Sequence, residues 1–269
     1  MDGANLTGAN LLNVNLSQVS AVATNFRRVN LKGGNLTASN LRGANLRGAN
    51  LAGVNLLRTI LENANLAQAN LQGLFLSDTN FSRCDLQGAN LRGAVLAATE
   101  LSRTNLSNTD LSGLNLRGAN LNNSNLTGAN LMATDLRAVN LTLAVLTKAN
   151  LSNAKLNNSY LYGTNLEEAN LMGADLSKTY LRRAQMHRAN LSNTQLQQAD
   201  LRGVAAVEAT FNNAQLQESI LVSADLRGAN FQGANLSGAD LRNAVLLGTS
   251  FQGAVLQNAK VEGAIGLVR

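Results

Sequence analysis

Few side chains in this chain could do chemistry. It holds one histidine, His187, and one cysteine, Cys84, with no tryptophan and no proline. A general base or a zinc site built on imidazole or thiolate needs more partners than that. His187 is also followed by Arg188, whose charge repels a cation. An intrachain disulfide is excluded, because Cys84 has no second thiol. Carboxylates recur at multiples of five: Asp85, Asp110, Asp135, Asp175, Asp200, Asp225 and Asp240. Paired carboxylates could run acid–base chemistry, but only across a cleft. The segment from Gly43 to Gly48, Gly-Ala-Asn-Leu-Arg-Gly, has the glycines of a phosphate loop without its lysine or its strand–helix setting. The last constellation is aromatic and basic. All three tyrosines, Tyr160, Tyr162 and Tyr180, lie just ahead of Arg182, Arg183, His187, Arg188 and Arg202. Tyrosine and arginine are the common anchors of binding hot spots. No nucleophile–base pair or metal-ligand cluster can be assembled from this inventory. The chain is therefore expected not to be an enzyme and to need no metal or cofactor.

Composition narrows the class further. Over 269 residues, hydrophobic types make up 45%, aromatic types 3% and charged types 14%, with a formal charge of +6. Charge that sparse argues against a disordered, highly charged tail. The N-terminal residues lack the basic and apolar segments of a signal peptide. No apolar run reaches the ~18 residues of a membrane span, so no membrane association is expected. A single thiol suits a reducing compartment, and a cytoplasmic location is expected.

The elements that position these residues follow from a repeat of five. Written from Ala4, the chain reads Ala-Asn-Leu-x-x without a phase slip to Val261. If the large apolar residue is i, there are 52 such positions, and all are Leu except five Phe, Met186, Val261, Ala21 and Ala206. Position i−2 is nearly always Ala, Thr, Ser or Val, and Cys84 falls there as a small core residue. Position i−1 is Asn or Asp in 33 of 53 cases, and 21 of 23 glycines stand at i+2. A helix would turn i and i+5 roughly 140° apart, scattering the leucines around every side. A continuous strand would point them to opposite faces. A short extended segment followed by a corner puts i−2 and i inside and i−1 outside. Glycine at i+2, with Asn as second choice, suits the positive φ of a type II turn. Repeated corners of one hand then wind a solenoid whose large and small residues interlock. Missing proline fits a ladder that recurs in every repeat.

This Ala-(Asn/Asp)-Leu-x-x pattern resembles the pentapeptide repeat family, and the match covers essentially the whole chain. The resemblance implies an all-β fold, a right-handed quadrilateral parallel β-helix with four repeats per coil. With four repeats per coil the 52 units make about 13 coils, roughly 60 Å at ~4.8 Å per rung, in a single domain spanning residues 1–269. Twenty residues per coil would stack Tyr160 on Tyr180, with Tyr162 beside them. Tyr160, Tyr162, Tyr180, Arg182, Arg183, His187, Arg188 and Arg202 then form a candidate partner-binding surface. The bland alternative is that the aromatic stack only stabilises the solenoid. A second basic group, Arg27, Arg28, Lys32, Arg42 and Arg47, reads as a solvated face. Ala21 and Ala206 should leave a void or a distortion, and Leu74 and Leu114 are oversized for i−2, to be offset by local compensation. The register fails at Gly266, with Leu267 one residue late. Without a capping helix at either end, unpaired strand edges would favour an end-to-end homodimer.

Two function classes follow. The first is a non-enzymatic rigid scaffold for protein–protein interaction, with an unnamed protein partner. The second is carried by the resemblance: some family members protect DNA gyrase and topoisomerase IV from quinolones by imitating DNA. A mimic needs a strongly negative surface, whereas here Asn outnumbers Asp at i−1 by 26 to 7 and the net charge is +6. Direct nucleic-acid binding is disfavoured too, because the arginines are scattered and the few aromatics form no stacking platform.

Overall fold

The computed structural model describes residues 1–77 and 79–266. They fall into two compact units, Met1–Asn130 and a second beginning at Leu131. Within each unit the same rule operates. Residues twenty apart form parallel bridges, from Asn5–Asn25 to Asp110–Asn130 in the first and from Asp135–Lys155 to Val245–Ile265 in the second. A tight turn every five residues therefore gives each twenty-residue coil four sides. Among the described residues no helix is long and apolar enough to cross a membrane.

The repeat 169–173 shows how five residues satisfy their own backbone. Ala169 closes the preceding turn by donating its N–H to the carbonyl of Leu166 at 3.0 Å. Asn170 donates to Ala149 of the preceding coil at 2.9 Å. Leu171 and Gly173 donate to Asn190 and Ser192 of the next coil at 2.8 and 2.9 Å. That leaves the N–H of Met172, which donates to the Asn170 side-chain oxygen at 3.2 Å. This is an Asx turn. It explains the Asn/Asp bias at i−1, which the repeat pattern alone marks only as outward-facing. Four N–H groups belong to the backbone, and the fifth needs a short side chain carrying an acceptor. Every described i+2 residue from Gly3 to Gly263 has φ between 52° and 72°, while its predecessor does not, which is the type II pattern.

The interior is one Leu and one small residue per side. Polar residues are admitted at i−2 because a carbonyl is always in reach. Thr164 and Ser159 donate their hydroxyls to Leu141 and Leu136 at 2.9 and 2.8 Å, and the Cys84 thiol donates to Leu61 at 2.9 Å. Burial pushes that thiol up to about 12, so it sits in the core as a neutral small residue.

The distortion expected at two irregular positions is corrected. Ala21 and Ala206 are buried and distort nothing: each keeps its ladder bond, to Asn40 and Asp225, at 2.8 Å. Each is followed five residues later, in the same coil, by a buried phenylalanine, Phe26 or Phe211. The larger ring returns part of the volume that the missing leucine leaves. Leu74 and Leu114 behave oppositely. Both are buried; among the described residues no bridge pairs Asn55 with Phe75 beside Leu74, whereas Val95 and Asn115 keep theirs beside Leu114. Only at Leu74 does the excess bulk coincide with a parted ladder. Surface depressions open beside both, one between Leu56, Leu74 and Phe75 and one between Arg92, Asp110 and Leu114. Gly266 has φ 85° where an inward leucine would stand, and Leu267 lies outside the described residues.

Candidate functional site

Tyr160 and Tyr180 take the i−1 place that Asn fills elsewhere, so their rings project from a flat side of the second unit. The two residues form a parallel bridge, and Tyr180 donates its N–H to Ser159 at 3.0 Å. In-register pairing brings identical side chains face to face: the ring centroids are 5.2 Å apart and the planes 7° from parallel. Each ring remains half exposed, at 51% and 50%. Beneath them Leu161 and Leu181 are fully buried. The side is thus anchored by its inward leucines, while the rings themselves face outward.

The corner that follows this side carries the charge. Tyr162, Arg182 and Arg202 occupy i+1 on successive coils, and Gly163, Arg183 and Gly203 occupy i+2. Asp200 continues the tyrosine column and is almost buried beneath two guanidinium groups. Its carboxylate accepts from Arg182 Nε at 2.6 Å and from Arg202 Nε and Nη2 at 2.8 and 2.6 Å. Arg183 Nη1 donates to the Tyr162 hydroxyl at 3.3 Å. A shallow depression of about 410 Å³ opens among Tyr162, Arg182, Arg183, Arg202, Gly203 and Val222.

Six of the eight candidate residues therefore meet on one side and its corner: Tyr160, Tyr162, Tyr180, Arg182, Arg183 and Arg202. The other two, His187 and Arg188, sit at the next corner, beyond the buried Ala184 and Met186. There Arg188 Nε pairs with Glu208 at 2.8 Å. Five-residue spacing separates them: residues 182 and 187 are equivalent in consecutive repeats and so occupy consecutive corners. The other basic group divides in the same way. Arg27, Arg28 and Arg47 share a corner of the first unit, Lys32 stands at another, and Arg42 faces Glu62 at 3.6 Å on a third. Among the described residues no three His, Cys, Asp or Glu side chains converge to hold a metal ion.

Sequence reasoning missed Asp200 as the organiser of the arginines. The signal was present as Asp-Leu-Arg, which places Asp at i−1 and Arg at i+1, on the same outward surface. The same bidentate pair forms at Asp135–Arg137, Asp225–Arg227 and Asp240–Arg242, with the shorter N···O contact at 2.5 to 2.7 Å. The hydrogen bond from the neighbouring arginine holds each of these three carboxyls below the usual aspartate value. Asp110 is lowered by Ser112 instead.

Comparison with known proteins agrees with this geometry. The family model described as Pentapeptide repeats (8 copies) matches residues 1–37, 30–66, 59–97, 99–137, 124–163, 164–204, 194–233, 209–246 and 229–265. HetL, a pentapeptide repeat protein involved in heterocyst differentiation regulation from the cyanobacterium Nostoc sp. strain PCC 7120, is 31% identical, with 89% of this chain and 90% of that one covered and a TM-score of 0.32. Rfr23, a pentapeptide repeat protein from the cyanobacterium Cyanothece 51142, is 30% identical over 47% of this chain and 67% of its own, with a TM-score of 0.17. QnrB1, a plasmid-mediated fluoroquinolone resistance protein, is 15% identical over 88% of each chain, with a TM-score of 0.41. No curated protein matches the chain. The repeat register, the turn at every fifth residue and the family match from residue 1 to 265 lead to one conclusion: the chain belongs to the pentapeptide repeat family, whose members fold as right-handed quadrilateral β-helices.

Proposed function

We propose that this protein is a non-enzymatic scaffold that binds a protein partner through the tyrosine side of its second unit. The observation that carries the reading is the stacked, half-exposed Tyr160–Tyr180 pair beside three arginines. Large aromatic rings left in water on a regularly hydrogen-bonded surface lose little further freedom when a partner covers them. Tyrosine and arginine also combine apolar area with directional donors, the combination that dominates binding energy in interfaces. Pentapeptide repeat proteins are in general structural or binding scaffolds, which supports the same reading.

The alternative, a DNA-like surface that occupies a topoisomerase, is the weaker one. Four of the seven i−1 aspartates, Asp135, Asp200, Asp225 and Asp240, are neutralised by their own arginines. Their charge is cancelled where a mimic would have to display it. Affinity capture with the wild type and with a Tyr160→Ala/Tyr180→Ala variant tests the scaffold reading. A partner retained by the first and lost by the second is the expected result, and equal recovery would remove the proposed face.

A further inference from the structure

We infer that the corner beside the tyrosine stack is an acid-binding subsite: it takes an Asp or Glu side chain of a partner segment whose neighbouring apolar residue lies on the Tyr160–Tyr180 rings. The inference rests on the scaffold reading above and names the chemistry of the partner. Charge is its first support. Arg182 and Arg202 share one carboxylate, Asp200, and among the described residues Arg183 has only the neutral Tyr162 hydroxyl as its hydrogen-bonding partner. Three guanidinium groups against one carboxylate leave two positive charges at the corner. A carboxylate from a partner would meet fork-shaped donors suited to bidentate contact.

Shape is the second support. Arg183 stands in a column between Gly163 and Gly203, which have no side chains to cover it. A Cβ placed on Gly203 would come within 3.9 Å of Arg183 Cγ and nothing closer. The depression lined by Tyr162, Arg182, Arg183, Arg202 and Gly203 is therefore open space above the guanidinium groups. A comparison inside the same unit shows what closes such a corner. At Arg188 the same column position on the following coil is Glu208, and its carboxylate already occupies the arginine at 2.8 Å. Gly203 holds the equivalent place above Arg183, so the partner's carboxylate would stand where Glu208 stands in the neighbouring corner.

That equivalence supplies the test. Gly203→Glu fills the subsite from within. The backbone tolerates glutamate there, since Glu168, Glu208 and Glu218 adopt φ of 55°, 59° and 58° at the same repeat position. The full chain would be used to select from a random octapeptide library, alongside G203E, Arg183→Gln and Tyr160→Ala/Tyr180→Ala, each verified by circular dichroism to keep the wild-type fold. Wild-type selections should be enriched in Asp or Glu next to an aromatic or aliphatic residue. Selected peptides should bind about tenfold more tightly than their Asn/Gln counterparts, the equivalent of about 1.4 kcal/mol. That advantage should disappear in G203E and R183Q and shrink as salt is raised. Selections without acidic excess, or an acidic preference unchanged in G203E, would overturn the subsite. If apolar peptides were selected without acidic preference and were lost only in the double tyrosine variant, the docking face would stand and the subsite would fall. If no peptide were enriched by any variant, both would fall.

Discussion

At the scale of single residues, inward and outward positions obey different physics. Leu131 is 1% exposed, in an interior where large and small residues interlock. Leu131→Ala should therefore cost about 2–5 kcal/mol in denaturant titration, the transfer loss plus the cavity. Cys84 is held neutral by burial, with its thiol raised to about 12. It should resist thiol reagents at pH 8 in the native protein and react fully once unfolded, because the thiolate is the nucleophile. Tyr180, by contrast, meets mainly its neighbour's ring. Tyr180→Ala should cost only about 0.5–1 kcal/mol of stability, the scale of a cross-strand aromatic pair. A larger loss, measured in the same denaturant titration, would favour a stabilising role for the stack over a binding one.

At the scale of the repeat, one side-chain acceptor and one positive φ hold each corner. Asn115 accepts the N–H of Arg117 at 3.0 Å. Asn115→Ala should cost about 1 kcal/mol, the typical net value of such a bond. Asn115→Asp keeps the acceptor and creates a fifth Asp-Leu-Arg repeat, so its melting curve should stay close to wild type. The turn position gives a matching contrast. Gly93 has φ 69° and open space around an added Cβ, with only Gly73 Cα at 4.0 Å. Gly93→Val should therefore be less stable than Gly93→Asn by about 1 kcal/mol or more, since a β-branched residue is poorly suited to that conformation.

At the scale of the whole molecule, four of the seven i−1 aspartates are paired with arginine. The net +6 is divided among several corners, and the aspartates most able to build a negative field are covered. Added protein should accordingly leave quinolone inhibition of DNA supercoiling by gyrase unrelieved, and relief in that assay would restore the mimic reading. Acid stability follows from the same pairs. Asp135, Asp225 and Asp240 have folded values below the ordinary 3.8, chiefly through hydrogen bonds from Arg137, Arg227 and Arg242. A depressed carboxylate stabilises the fold above its unfolded value and loses that contribution as pH falls through the folded one. Melting temperature should hold at neutral pH and decline below about pH 4. Asp225→Asn should flatten part of the decline.

The five-residue register made the solenoid legible in the sequence, because only a corner at every fifth residue turns the leucines at position i to the inside. The tyrosine stack was legible only through the family resemblance, which implies four repeats per coil and so aligns Tyr160 with Tyr180. Other features depended on neighbours in space. The role of i−1 Asn required counting which backbone N–H the ladder leaves over. The separation of His187 and Arg188 from Arg182 and Arg183 required knowing that consecutive repeats face consecutive sides. How the chain takes up an odd residue was visible only in space: the ladder is kept at Ala21, at Ala206 and beside Leu114, while among the described residues no bridge pairs Asn55 with Phe75 beside Leu74. Sequence spacing specifies direction around the coil, but packing and pairing depend on which side chains share a coil or stack across adjacent ones, and that only the tertiary structure decides.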